Sequence, residues 1–263
     1  MLLSEPPETE YDLRLSAFGF PLRISWTFWL GAVVFGHNFA QLVDRQFAAS
    51  SPGVLPLLVL WTICMLISIW IHELGHAVAF RFYGIQSTLV LYHFGGLAIP
   101  ISSYNPGRSF ARLRPGEDLL IALAGPVAQL LSAAAVIGVV KLAGYQVDAF
   151  NWMPAGLHRI PWVGEGEPID SAGLYAIVFF YVFPSVLWAL LNLVPVWPLD
   201  GGRIMRSIVL MAGGDLAQSL WISVITAGAL AVYSFKSGNT MMAIFFAMFA
   251  FSSYQLTQQN NWR

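Results

Sequence analysis

Cysteine is all but missing from the 263 residues, Cys64 being the one copy. A single thiol can neither close an intrachain disulfide nor build a thiolate metal cluster. Its place in an apolar run reads as a small buried hydrophobe. Charge is scarce as well: 10% of the residues are Asp, Glu, Lys or Arg, 57% are hydrophobic, and the net charge is -1. Soluble domains carry about 25% charged residues, so this composition, with a mean hydropathy of +0.65, reads as an integral membrane protein with little soluble mass. The thirteen basic residues form no dense run, which argues against nucleic acid as a partner. The N-terminus (Met1 to Tyr11) is acidic and proline-bearing rather than basic followed by a short apolar core. No cleaved signal peptide is expected, and targeting falls to the first span.

Long apolar runs, in contrast, are abundant. Stretches of about twenty apolar residues mark spanning helices, and six are read, at residues 25–43, 54–82, 118–141, 172–194, 214–236 and 240–256. The expected fold class is an all-α integral membrane protein in which residues 1–263 form a single membrane-embedded domain, without internal repeats or an appended soluble domain. Six spans place both termini on one side. Arg14, Arg23, Arg81, Arg108, Arg112, Arg114, Arg203, Arg206 and Arg263 fall on that side, against Arg45, Lys141, Arg159 and Lys236 on the other. The excess of basic residues makes the side of the termini cytoplasmic.

Two connections have character of their own. Residues 86–102 are broken by Gly95, Gly96 and Pro100 but rich in strand formers, which predicts a short β-hairpin lying against the membrane face. Residues 144–171 carry Trp152, Trp162, several prolines and scattered acids, as expected of an interfacial loop on the outer side.

Against this apolar background, His72-Glu73-Leu74-Gly75-His76 stands inside the second span. An ionisable group in a spanning helix is costly and marks a functional site. Residues i and i+4 share a helix face, so the two imidazoles can grip one zinc, while Glu73, about 100° round the helix, can reach a water beside it. If the helix leaves the bilayer near Arg81, a rise of about 1.5 Å per residue sets His76 roughly 7 Å and His72 roughly 13 Å below the surface. A catalytic zinc needs a third protein ligand and an open position. His158 is on the wrong side and His37 lies toward the far end of the first span, which leaves His93 and the acids. The most telling acid is in Asn192-Leu-Val-Pro-Val-Trp-Pro-Leu-Asp-Gly-Gly-Arg203. There Pro195 and Pro198 interrupt the fourth span and turn Asp200 away from a regular helical face, on the same side as His76. Gly201 and Gly202 then permit close backbone approach before a new short helix.

The pairing of His-Glu-Leu-Gly-His on the second span with Asn-x-x-Pro-x-x-Pro-Leu-Asp-Gly-Gly on the fourth resembles the site-2 protease family of intramembrane zinc metalloproteases, over about residues 60 to 210. Phe94-Gly-Gly-Leu-Ala98 and Ala124-Gly-Pro126 are similar to family features too, whereas Gln129 stands where family members often carry asparagine. The resemblance is to a stand-alone core without PDZ or CBS domains. It implies that one Zn2+ per chain is bound by His72, His76 and Asp200, and that Glu73 is catalytic. It implies hydrolysis of peptide bonds within or near transmembrane segments of membrane-protein substrates; the lack of a targeting peptide and the compact core favour a bacterial or archaeal cytoplasmic membrane. The partners would then be those segments and the lipid bilayer.

Within that scheme Asn192 is either a second donor to the developing oxyanion or the partner of carbonyls freed at the helix end. His93, Gly95 and Gly96 fall in the hairpin, whose edge can receive an unwound substrate as an added strand. His93 is read as structural or substrate-adjacent. Two other classes compete. A metal-ion transporter would need a continuous polar route through the spans, and the sequence offers few such residues: His37, Asn38, Gln41 and Gln129. A catalytically silent zinc-containing binder of membrane proteins would be expected to have lost Glu73, which is present.

Overall fold

The computed structural model describes residues 6–93, 95–101, 113–153 and 160–260. In chain order the elements are β1 (Leu13–Ala17), β2 (Phe20–Ile24), α1 (Trp26–Phe47), α2 (Val54–Phe82), β3 (Ser87–Tyr92), β4 (Gly95–Pro100), α3 (Pro115–Leu142), the short α4 (Pro161–Gly164), α5 (Ala172–Asn192), α6 (Asp200–Met211), α7 (Leu216–Lys236) and α8 (Thr240–Asn260). Among the described residues five helices are long and apolar enough to cross a membrane: α2, α3, α5, α7 and residues 240–258 of α8. The chain is a mostly helical, multi-pass integral membrane protein.

The sixth expected span, residues 25–43, is a 22-residue helix, α1. It falls outside the apolar set because His37, Asn38, Gln41, Asp44 and Arg45 dilute its apolar content. The third helix starts at Pro115 rather than 118. A proline in the first turn, followed by Glu117 and Asp118, is a favourable helix start that an apolar-run criterion passes over. Helix α7 opens on a capping box, with Asp215 Oδ1 accepting from the Gln218 amide at 2.8 Å and the Asp215 amide donating to Gln218 Oε1 at 3.2 Å. Phe94, Ser102, His158 and the orientation-bearing Arg108, Arg112, Arg159 and Arg263 lie outside the described residues.

The expectation of an all-α chain with one hairpin needs correction. The hairpin is present, as β3 and β4 in register from Ser87 opposite Pro100 to Tyr92 opposite Gly95, but it is half of a four-stranded sheet of order β1-β2-β3-β4. Strands β1 and β2 form a second antiparallel hairpin turned at Phe18 and Gly19, both with positive φ. Strand β2 then pairs in parallel with β3, Leu22 to Leu89 and Ile24 to Leu91. The alternating Phe20, Leu22 and Ile24 are buried against Phe28 of α1, Ile69 and Ala77 of α2, and Leu89 and Leu91 of β3. At the end of α2, Arg81 lies over the Phe20 ring at 3.6 Å and donates to the Gly19 carbonyl at 2.6 Å. The sheet is thereby seated on the end of the helix that carries the histidines. The main apolar core fills the space between α1, α2, α3 and α5 around Trp61, Phe179 and Phe180.

Asp12 pins this N-terminal layer. Its carboxylate accepts from the Thr9 amide and hydroxyl, the Trp26 amide and the Arg23 guanidinium, the last at 3.2 Å with both side chains almost fully enclosed. Burial opposes its ionisation, but the Thr9 hydroxyl and amide, the Trp26 amide and the Arg23 charge outweigh that and hold its pKa below the ordinary value. A group whose pKa is depressed on folding stabilises the fold above its unfolded value, about 3.9. That contribution is lost as pH falls through the folded value. Asp12→Asn is therefore expected to lower the melting temperature at pH 7 and to flatten its fall below about pH 4; thermal melts in detergent across pH 3 to 7 measure both.

Candidate metal centre

The α2 face bearing Ser68, His72 and His76 and the α3 face bearing Ile121, Gly125 and Gln129 each repeat every four residues, so each is one stripe of its helix. The two stripes pack against each other because two glycines leave room. A Cβ on Gly75 would lie 2.4 Å from the Ala124 carbonyl oxygen, and one on Gly125 would lie 2.2 Å from His76 Nε2. Small residues at such crossings let helix backbones approach. His76 Nδ1 donates to the Ile121 carbonyl at 2.7 Å, in the turn before Pro126, and His72 Nδ1 donates to Gln129 Oε1 at 2.9 Å. Acceptors on both Nδ1 atoms place the protons there and assign each Nε2 as the lone-pair nitrogen.

Both Nε2 atoms face Asp200, the first residue of α6. Its Oδ2 lies 3.0 Å from His72 Nε2 and 3.2 Å from His76 Nε2, and the two nitrogens are 3.2 Å apart. Helix α6 can begin there because Gly201 and Gly202 carry no side chain: a Cβ on Gly201 would meet the Val194 carbonyl oxygen at 2.1 Å, and one on Gly202 the Trp197 amide at 2.6 Å. The helix is tied to α3 by Arg203 and Ser207, which donate to the Asp118 carboxylate at 2.7 and 3.3 Å. The Arg203–Asp118 pair was missed from sequence; it joins positions 85 residues apart that share no periodic pattern.

His72, His76 and Asp200 are the group among the described residues whose ligand atoms lie within 4.8 Å of one another. Three Lewis bases this close, with the ring protons directed elsewhere, suit a shared cation. Donors about 2.0 to 2.1 Å from a tetrahedral zinc would be roughly 3.3 Å apart, and the separations of 3.0 to 3.2 Å fit that ion. The cluster is thus able to coordinate a metal.

A cavity of about 170 Å³ opens on it, lined by Glu73, Tyr92, Gly96, Ala98, Trp188, Asn192 and Arg203 among others. Strand β4 approaches closely, since a Cβ on Gly96 would sit 2.3 Å from Glu73 Cγ. Asn192 reaches the same cavity, and its Nδ2 donates to the Trp188 carbonyl at 3.1 Å. His93 and Gly95 line a neighbouring apolar cavity of about 230 Å³ with Phe28, Phe35, Met65 and Phe183. Tyr92 and Trp188 border both spaces. His37, the other histidine weighed above, pairs with Gln41 at 3.0 Å on the exposed face of α1.

The sequence of residues 60–235 matches the model of peptidase family M50. The chain belongs to that family. Its site-2 protease branch is the one indicated by the two motifs, and residues of both line one cavity. Over 214 residues the chain is 29% identical to a Synechocystis sp. protein provisionally named a zinc metalloprotease, covering 79% of this chain and 46% of that protein. It is 25% identical over 214 residues to a zinc metalloprotease of Methanocaldococcus jannaschii, covering 80% and 49%. The chain thus spans about half the length of these two relatives. The fold is similar to that of the solved site-2 protease from Methanocaldococcus jannaschii, with a TM-score of 0.52, 20% identity and coverage of 93% and 94% of the two chains.

Gly125 gives the M50 site a direct test. Gly125→Ala, which drives a methyl into His76, is expected to weaken metal binding at least about 10-fold, the scale of disturbed ligand support. Gly138→Ala on the same helix, where a Cβ meets nothing within 4 Å, should leave metal binding at the parental level. Metal content of the two purified variants checks the contrast.

Proposed function

We propose that the chain is an intramembrane zinc endopeptidase that cuts peptide bonds within or near transmembrane segments of membrane-protein substrates. The observation that carries this reading is Glu73. It lies in the cavity beside the three donor atoms, yet no metal-binding role requires it. A silent binder has no use for a carboxylate there, and a transporter would continue it into a polar route through the spans, whereas hydrolysis needs a single group to move a proton.

His72, His76 and Asp200 would hold one zinc per chain. A zinc ion there supplies Lewis acidity, which acidifies water and polarises the peptide carbonyl. Glu73 takes the proton of the attacking water and delivers it to the leaving amine. The Asn192 amide, released from the Trp188 carbonyl, turns to the carbonyl oxygen as negative charge develops on it. A helical substrate hides its amides in its own hydrogen bonds and has to unwind before cleavage. Strand β4 ends the sheet on the side where Gly96 meets Glu73, so its edge would take the unwound segment as an added strand. His93 and Gly95 would border the neighbouring apolar space for a substrate side chain.

In this reading α1 is the sixth span, stabilised in the bilayer by its packing on α2. The whole forms one membrane-embedded unit with both termini in the cytoplasm, and the site lies within reach of cytoplasmic water. The substrates would be transmembrane segments of regulatory membrane proteins or remnant signal peptides.

Purified protein is expected to carry about one zinc per chain, as a single three-ligand site implies. Glu73→Gln should keep that zinc and lose peptide hydrolysis by at least about 100-fold, the lower scale of general acid–base assistance. A transmembrane-peptide cleavage assay paired with metal analysis reads both. Turnover that survives Glu73→Gln, or that survives removal of the zinc, would overturn the assignment.

A further inference from the structure

Behind His72 runs a line of polar groups that binding a metal does not by itself call for. Gln129 is completely buried, at 0% exposure, in the apolar middle of α3. Its Oε1 accepts from His72 Nδ1 at 2.9 Å, and its Nε2 donates to Ser68 Oγ at 2.8 Å. Ser68 Oγ is in turn 2.7 Å from Ser185 Oγ on α5. The main chain of Gln129 is held from the same helix: Tyr181 donates to Ser132 Oγ at 2.8 Å, and Ser132 Oγ donates to the Gln129 carbonyl at 2.7 Å. Tyr181 and Ser185 are four apart and therefore share a face of α5. Two adjacent turns of α5 thus grip Gln129, one through its side chain and one through its backbone.

We infer that Gln129 is a positioning residue, and that the Gln129–Ser68–Ser185 relay fixes the His72 ring in the tautomer and orientation that aim Nε2 at the metal. The inference rests on the zinc reading above and adds a mechanical link from α5 to the ligand. An amide that donates at its nitrogen becomes a better acceptor at its oxygen, because linked hydrogen bonds polarise one another. The bond to Ser68 therefore strengthens the hold on His72 Nδ1–H, and a firmly held Nδ1–H makes Nε2 a stronger donor to a cation. The length of glutamine matters too. From its place on α3 it spans to His72 on one side and Ser68 on the other, one helical turn apart on α2.

The test measures zinc affinity by competition with a chromophoric chelator, together with the visible spectrum of the cobalt-substituted protein, in the parent and three variants of the full chain. Gln129→Leu fills the same space without an acceptor and is expected to weaken zinc binding about 10- to 100-fold and to shift the cobalt bands, as loss of a ligand's supporting partner does. Gln129→Glu keeps an acceptor for Nδ1–H and should stay within about 3-fold of the parent, since the carboxylate–histidine pair is the commoner form of this support. Ser185→Ala, which only shortens the relay, should show a smaller loss than Gln129→Leu. Parental affinity in Gln129→Leu, or equal losses in the Leu and Glu variants, overturns the relay while leaving the zinc assignment standing. If Gln129→Leu does not fold, Ser185→Ala decides in its place, and parental affinity there overturns the proposal. A parent that binds no zinc removes the metal reading itself, and the relay with it.

Discussion

Two imidazole nitrogens and a carboxylate oxygen lie 3.0 to 3.2 Å apart, a spacing that a positive charge among them would stabilise, and much of this architecture serves to bring those three atoms together. Two of them come from adjacent turns of one helix and cost little to organise. The third arrives 124 residues beyond His76, on a helix that has to begin at the right depth and in the right direction. The glycines at 75, 125, 201 and 202 mark where backbones crowd to achieve this. Each leaves so little room that a methyl group would collide with a carbonyl, an amide or the His76 ring. The Arg203–Asp118 pair then prevents α6 from drifting off α3.

The environment is divided as sharply as the site is assembled. On one side of Trp188 and Tyr92 lies a cavity of mixed lining that holds Glu73, Asn192, Arg203 and the three candidate ligands; on the other lies a space walled almost wholly by aromatic and aliphatic side chains. Removing bulk water strengthens every interaction between charges, so the polar side gains from its apolar neighbour. The apolar side is walled by side chains as hydrophobic as lipid.

How much of this could be read from the sequence follows the reach of each interaction. His72, Glu73 and His76 were legible because helix geometry alone puts them together. Asp200 was legible because Pro195 and Pro198 announce a broken helix on the correct side. The β3–β4 hairpin was legible from its strand formers and glycines. The N-terminal hairpin was overlooked although Phe20, Leu22 and Ile24 alternate as a strand should. Its pairing joins Leu22 to Leu89 across α1 and α2, and no local pattern reports a partner that distant. Helix α1 looked like an ordinary span because its length suits one, while its polar residues set it apart in composition. Gln129 drew notice as a departure from a familiar asparagine and as a lone polar residue of the third span; that it holds His72 depends on how two helices cross.

The parallel pairing of β2 with β3 also decides which way the sheet can grow. A β3–β4 hairpin alone would present two unpaired rows of amides and carbonyls, each a template for a passing strand. By occupying the β3 side, the N-terminal hairpin leaves β4 as the nearest open row to Glu73 and moves the other open edge out to β1. The first strands of the chain, which contribute nothing to the metal cluster, thus act as a stopper. They leave the β4 edge open next to the carboxylate, with the other open edge two strands away.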